Sequence, residues 1–284
     1  VADDVGVLPD ELAAEHSCGE VRPAVAKPCR LPASRWVGGG SGWDGAGRPA
    51  DQGGRQRGPE LLLPAPRVVT AMALGDLYEA TAADSTDLYY VDLEMYDTPE
   101  YGPVYILDAD RPALVDTGIG RHPDVVLEAM AEVGIAPEDL AVIAPTHVHL
   151  DHAGGAGYLV DACPNADVYV YEAGARHLLD PERLWAGTKA AVGEEIEFYG
   201  EPEPVPEDRL VELADGDVVD LGDHALEVHH APGHAPHQAV FYDPANDGVF
   251  TADAAGIRVP AVETIQPTTP PANFDLELSL PDVE

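Results

Sequence analysis

Cysteine is scarce in this chain: Cys18, Cys29 and Cys163 are the whole supply. Three scattered thiols build neither a disulfide framework nor a Cys-x-x-Cys metal knuckle, so free or buried thiols in a reducing cytoplasm are expected. Lysine is scarcer still, with Lys27 and Lys189 alone. Basic residues total 15 against 52 acidic ones, a net charge of −37. A protein gripping nucleic acid along a basic groove is excluded, because phosphates would be repelled. No apolar run approaches the roughly 18–20 residues that span a bilayer, so no membrane association is expected. No basic start followed by an apolar stretch marks a secretory signal at the N-terminus, which is consistent with a cytoplasmic protein. Aromatics make up only 6%, but the apolar share of 45% is ordinary for a globular chain. The acidity is therefore not a sign of disorder.

The charge is unevenly placed. Residues 1–71 carry 9 acidic and 8 basic residues, whereas 72–284 carry 43 and 7. The first segment is rich in glycine and proline, with runs such as Gly38-Gly39-Gly40-Ser41-Gly42. It shows no sustained hydrophobic period and cannot bury enough surface to offset its ordering entropy. Residues 1–71 are expected to be either upstream sequence translated from an over-early start, with Met72 the natural beginning, or a disordered extension. Residues 72–284 form the expected working domain. Its excess of carboxylates suits a salt-accumulating cell, where the Debye length falls to about 3 Å and self-repulsion is screened.

Within 72–284 the pattern predicts strands at 88–93, 104–107, 113–116, 140–144, 168–171, 210–213, 218–221, 225–229, 239–242 and 249–251. A helix is predicted from Pro123, a first-turn proline, to Gly134, with Val126, Leu127, Met130 and Val133 on one face. Further helical stretches are predicted near 153–162 and over 173–200, the latter interrupted by Pro181. Strand pairs mixed with helical groups indicate sheets covered by helices, not a strict βαβ repeat.

Chemistry concentrates in Thr146-His147-Val148-His149-Leu150-Asp151-His152-Ala153-Gly154-Gly155. On extended chain His147 and His149 point the same way, because side chains alternate with period 2. Asp151 and His152 fall where the chain turns into a helix, so one segment can serve two adjacent metal positions. Imidazole and carboxylate ligands suit zinc, and also iron or manganese. Later, the rigid turn Ala231-Pro232-Gly233 presents His234, Asp253 ends the Phe250-Thr251-Ala252-Asp253 strand, and Asp116 ends Leu114-Val115-Asp116.

Taken in order, LVDTG, THVHLDHAGG, APGHAPH and FTADA resemble the metallo-β-lactamase superfamily, nearest to its glyoxalase II-like and lactonase-like hydrolases. The resemblance covers residues 80–270. It implies an α/β four-layer αββα sandwich with a dinuclear centre, usually of two zinc ions. His147, His149 and His234 would hold the first metal, Asp151 and His152 the second, and Asp253 would bridge. Asp116 would orient ligands from behind. His237 would either stand behind the ligands in the same way or touch metal or substrate. No histidine follows His237, whereas the family supplies a last one to the second metal. Either the chain is truncated, lacking the final strand and helix with a histidine beyond Glu284, or the second site is one ligand short.

The resemblance implies hydrolysis of a small-molecule ester, thioester or lactone by a metal-activated hydroxide, with Asp151 orienting the nucleophile and relaying a proton. A glutathione thioester is disfavoured by the shortage of basic side chains. Two alternatives stay open: a mononuclear non-haem iron sulfur dioxygenase on the same fold, and a non-catalytic metal-binding or inactive truncated protein. Leu184, Trp185 and Phe198, on 173–200, are equally candidates for a lid and for helix packing. His16, His122, His177 and His224 are expected in turns, caps or helix surfaces, and one of His229 and His230 should face the core.

Overall fold

The computed structural model describes residues 73–80, 87–259 and 264–266. The expectations for 1–71, for a start at Met72 and for the chain beyond Gln266 lie outside the described residues. Strands β1 (Leu77–Glu79), β2 (Leu88–Asp92), β3 (Pro103–Leu107) and β4 (Ala113–Val115) form an antiparallel meander. The sheet then continues in parallel through β5 (Val142–Ala144), β6 (Asp167–Tyr171) and β7 (Leu210–Leu213), giving seven strands in sequence order. Helices supply the parallel crossovers: α1 (Pro123–Glu132), α2 (Leu150–Ala153), α3 (Ala156–Ala162), α4 (Glu172–Leu179) and α5 (Glu182–Val192). Half of this sheet is therefore of βαβ type, more than the sequence pattern indicates. Strands β8 (Val218–Asp220), β9 (Ala225–His230), β10 (Ala239–Asp243) and β11 (Gly248–Phe250) make a second, antiparallel sheet ordered β11-β10-β9-β8. Strands β12 (Ile257–Val259) and β13 (Thr264–Gln266) pair as a separate hairpin.

Period-2 alternation sorts the first sheet's side chains between two cores. Leu114, Ile143, Val168 and Val170 turn toward Val126, Met130, Leu159 and Leu178 of the helices. Their neighbours Ala113, Val115, Val142 and Ala144 turn the other way, onto Leu226, Val228, Ala239 and Phe241 of the second sheet. Strands buried on both faces carry no polar alternation, which is why β4 and β5 read as short unbroken apolar runs. The described residues thus form a sheet-on-sheet sandwich with helices over the outer face of the larger sheet, as an α/β sandwich of the expected kind requires. The expected last strand and helix lie outside the described residues. No helix among the described residues is long and apolar enough to cross a membrane.

Most boundaries fall within two residues of the predicted ones. Two differences have clear causes. The helix predicted near 153–162 is two helices, broken at Gly154-Gly155. There the backbone packs against the loop after β4: a Cβ on Gly155 would stand 2.5 Å from the Thr117 carbonyl oxygen. Strand β1 has only three residues at the sheet edge, too short for its pattern to register.

Candidate metal centre

Three loops at one end of the sandwich carry the candidate ligands. The chain leaves β5 through Pro145 and Thr146 into His147, and His149 then precedes the first turn of α2, which holds Asp151 and His152. The β9–β10 turn brings His234, and the 3-10 turn after β11 brings Asp253. Strand ends converge here because β5 lies centrally in the larger sheet and faces β9 and β10 across the inter-sheet core.

The convergence is tight. His149 Nδ1 lies 3.0 Å from His147 Nε2 and 3.0 Å from His234 Nε2. In four-coordinate zinc with Zn–N near 2.0–2.1 Å, neighbouring nitrogens stand roughly 3.3 Å apart. The triad's nitrogens all lie within 4.8 Å of one another, within reach of a single cation. A second group, His147, His152 and Asp253, also meets within metal-ligating reach and shares His147 with the first. Asp253 spans the two, with one oxygen 3.4 Å from His152 Nε2 and the other 3.4 Å from His234 Nε2. Asp151 stands 3.6 Å from His152 Nε2, beside the second group and not within it. The donor chemistry of both groups, imidazole with carboxylate, accommodates zinc, iron or manganese.

Behind the ligands, Asp116 organises their protons. Its Oδ1 accepts hydrogen bonds from the Thr146 backbone N–H and hydroxyl, each 2.8 Å, and its Oδ2 pairs with His152 Nδ1 at 2.8 Å. The Thr146 hydroxyl spends its one proton on Asp116, so toward His147 Nδ1, 3.3 Å away, it acts as acceptor. His147 then carries its proton on Nδ1 and turns a bare Nε2 to the centre. The same logic directs His152 Nε2 inward. Thr117, next in the chain, ties the helix down by donating its backbone N–H and hydroxyl to the His152 carbonyl at 2.6 and 2.8 Å. Thr146 and Thr117 lie inside motifs that the sequence displays, but nothing in a lone sequence marks a threonine as the proton bookkeeper.

Electrostatics favour neutral imidazole at the first group. Burial, then the charges of His152 and His149, hold His147 well below the ordinary histidine range. Burial lowers His149 to about 4, and burial also lowers His234. Neutral imidazole is the form that ligates a metal. His152 is the exception: burial opposes its charge, yet the carboxylates of Asp116 and Asp151 outweigh it and raise the group well above the usual value. Asp253 is lowered in spite of its burial, because His152 hydrogen-bonds it and His152, His234 and His149 surround it.

The remaining histidines separate cleanly. His237 lies in neither ligand group, but its ring stacks on His147 at 6.0 Å and meets His149 edge-on at 5.1 Å, with Nδ1 buried and unpartnered. Burial lowers it to about 3. His230 stacks on Tyr171 at 4.2 Å, while His229 is exposed. His224, expected in a surface turn or cap, is instead buried against Asp243 at 3.0 Å and lies outside both ligand groups. The Cys163 thiol is buried, which pushes it up to about 11.

An aromatic cluster stands beside Asp151. Tyr96 and Tyr199 share a 2.6 Å hydrogen bond, and Tyr101 and Phe198 pack around Tyr96 at 6.0 and 5.6 Å. Burial and then the Asp151 charge raise Tyr101 to about 12. Of the lid candidates, Phe198 joins this cluster, Leu184 packs on the sheet–helix core, and Trp185 lies under Lys189. Sequence reading missed the tyrosines because Tyr96 and Tyr199 are 103 positions apart.

A model of the metallo-beta-lactamase superfamily matches residues 97–283 of this chain. Among curated proteins, the metallo-beta-lactamase fold-containing protein ST1585 of Sulfurisphaera tokodaii is 27% identical over 179 residues, covering 61% of this chain and 63% of that protein. The acyl-coenzyme A thioesterase MBLAC2 of Gallus gallus is 27% identical over 181 residues, covering 58% and 62%. An N-acyl homoserine lactonase of a Bacillus species is 27% identical over 218 residues, covering 67% and 76%. This chain spans less than two thirds of the length of the first two. The crystal structure of the archaeal superfamily protein ST1585 matches with a TM-score of 0.59 at 23% identity, over 70% of this chain and 74% of that one, which shows a common fold.

Proposed function

This chain belongs to the metallo-beta-lactamase superfamily, and from that premise we propose that it is a metal-dependent hydrolase of a small-molecule ester, thioester or lactone. The observation that carries the reading is the pair of ligand groups sharing His147. The similar thioesterase and lactonase support the choice of scissile bond. A divalent cation held by these residues supplies Lewis acidity and brings the pKa of a coordinated water toward about 7. His147, His149 and His234 would hold one cation. His152 would hold another beside it, with Asp151 completing that position and Asp253 reaching both.

The chain's own groups would do the rest. Asp116 and Thr146 keep the imidazole lone pairs aimed inward. Asp151, beside His152 and partly open to solvent, would orient the attacking water and pass its proton to the leaving group. Tyr96, Tyr101, Phe198 and Tyr199 would shield the substrate from bulk water. A mononuclear redox centre would need the first triad alone. The second group, together with Asp253 standing 3.4 Å from both His152 and His234, favours the two-position reading.

Metal content by plasma mass spectrometry and rates on matched thioester, lactone and ester substrates test the proposal together. Wild type should carry up to two divalent ions and hydrolyse at least one class. His149→Ala should lose metal and at least 100-fold in kcat/KM, a scale set by removal of a cation's contribution. An unchanged rate in that variant would overturn the hydrolase reading.

A further inference from the structure

Residues 72–284 hold seven basic side chains against 43 acidic ones. Three of the seven, Arg176, Arg183 and Lys189, lie on α4 and α5. Three other arginines have settled structural partners: Arg209 pairs with Asp167 at 3.1 Å, and Arg111 and Arg121 donate to the carbonyls of Asp220 and Glu197. Lys189 sits 4.3 Å over the Trp185 ring. Arg176 and Arg183 differ. Among the described residues neither forms an ion pair, although carboxylates outnumber cations sixfold in this part of the chain and Glu172 and Asp180 flank Arg176 at four residues on either side.

Two histidine rings link their position to the candidate metal centre. Arg176 Nε lies 3.3 Å from His177 Nε2, and both Arg176 and Arg183 act electrostatically on His177. The His177 ring is 6.0 Å from that of His237, which in turn packs on His147 and His149. Gly174 permits this approach, since a Cβ there would stand 2.7 Å from Val148 and 3.4 Å from His237. A nitrogen-rich ramp therefore leads from the first ligand group out to two guanidiniums that have no carboxylate partner among the described residues. Its inner step, His237 Nδ1, is buried with no partner. The aromatic cluster is placed differently, beside Asp151.

We propose that Arg176 and Arg183, with His177, receive an oxyanion carried by the substrate at the end remote from the bond that is cleaved. Guanidiniums match carboxylate and phosphate geometry with paired donors. On a domain of strong negative charge, an anionic substrate also needs a local cationic patch to counter repulsion as it approaches. The shortage of basic residues, which by count disfavours anionic substrates, is offset by where these residues are placed. The proposal rests on the hydrolase reading for what happens at the far end of the ramp, and its binding test does not.

Two measurements on the metal-loaded protein decide it. The first compares kcat/KM for p-nitrophenyl hexanoate with that for the p-nitrophenyl monoester of adipic acid, which differ by a terminal carboxylate. The anionic-to-neutral ratio should fall about tenfold or more in Arg176→Gln/Arg183→Gln and recover partly in Arg176→Lys/Arg183→Lys. The second is calorimetric titration with adipate and with butyl phosphate, which separates carboxylate from phosphate as the group received. At least one should bind wild type about tenfold more tightly than the glutamine variant. An unchanged ratio, or equal affinities for both probes in the two proteins, overturns the proposal. If neither ester is hydrolysed the reaction assigned above fails, and calorimetry still judges the anion site.

Discussion

Asp116 and His152, 36 positions apart in the chain, are joined by a 2.8 Å hydrogen bond in which Nδ1 of His152, in the first turn of α2, donates to the carboxylate that directly follows β4. Asp116 holds this position with a left-handed backbone, φ 62°, a conformation unfavourable for most residues and tolerated by Asp and Asn. Because its other oxygen takes both Thr146 hydrogens, one carboxylate sets the proton positions on two candidate ligands.

Asp116→Asn tests that role. Asparagine keeps the backbone conformation but replaces one of the two acceptor oxygens by an NH2 donor, so either His152 or Thr146 loses its acceptor. Metal affinity or kcat/KM should drop by roughly 10- to 100-fold, the range for residues that orient ligands. Metal titration and steady-state kinetics provide the readout, with circular dichroism showing a retained fold. Equal loss in Asp116→Ala and Asp116→Asn would agree with orientation by the charge itself.

The metal-free protein should lose stability in acid. His237 and His149 lie at about 3 and about 4, below the ordinary value of 6.5 for a histidine in the unfolded chain. Between these values and 6.5 the unfolded chain binds more protons, so stability falls as pH drops through that window. His152, raised above 6.5, acts oppositely, and its contribution is lost as pH rises through its folded value. More groups are lowered than raised. The thermal midpoint of chelator-treated protein should therefore decline from pH 6.5 toward pH 4, and a midpoint flat over that range would contradict the assignment.

Backbone packing under the site makes glycine at 120 hard to replace. Gly120 has φ 74°, and a Cβ there would stand 2.5 Å from the Gly154 carbonyl oxygen. Gly134 also has a positive φ, 92°, but a Cβ would meet nothing within 4 Å. Gly134→Ala should cost about 1 kcal/mol from backbone conformation alone. Gly120→Ala should cost about 3 kcal/mol or more, since α2 must also shift. Denaturant unfolding of the two variants measures the difference.

The Tyr96–Tyr199 hydrogen bond anchors a strained loop. Glu94, Tyr96, Asp97 and Glu100 all have positive φ, between 43° and 63°. A double-mutant cycle with Tyr96→Phe and Tyr199→Phe should give a coupling of about 0.5–1.5 kcal/mol. Additive single losses would show that the two phenols act independently.

The candidate ligand residues were legible because they sit in compact local patterns: His147, His149, Asp151 and His152 within six positions, and His234 after a Pro-Gly turn. Strand alternation likewise exposed most of the sandwich, since period-2 burial is written into each strand separately. Local patterns carry no information about partners distant in sequence. The motif around His234 singled out His237, which packs on two candidate ligands, but nothing in the chain of letters showed that His224 is buried against Asp243. Nor could composition show that a domain so short of basic residues places two arginines without carboxylate partners around His177, two rings out from its candidate metal centre. The sequence by itself determined the family, the run of strands and the set of candidate metal-ligating side chains, because each is encoded in contiguous residues. Only the tertiary structure decided how Asp116 aims two imidazoles, which tyrosines wall the centre and where the few cations gather, because those relations arise when separate loops fold to one end of the sandwich.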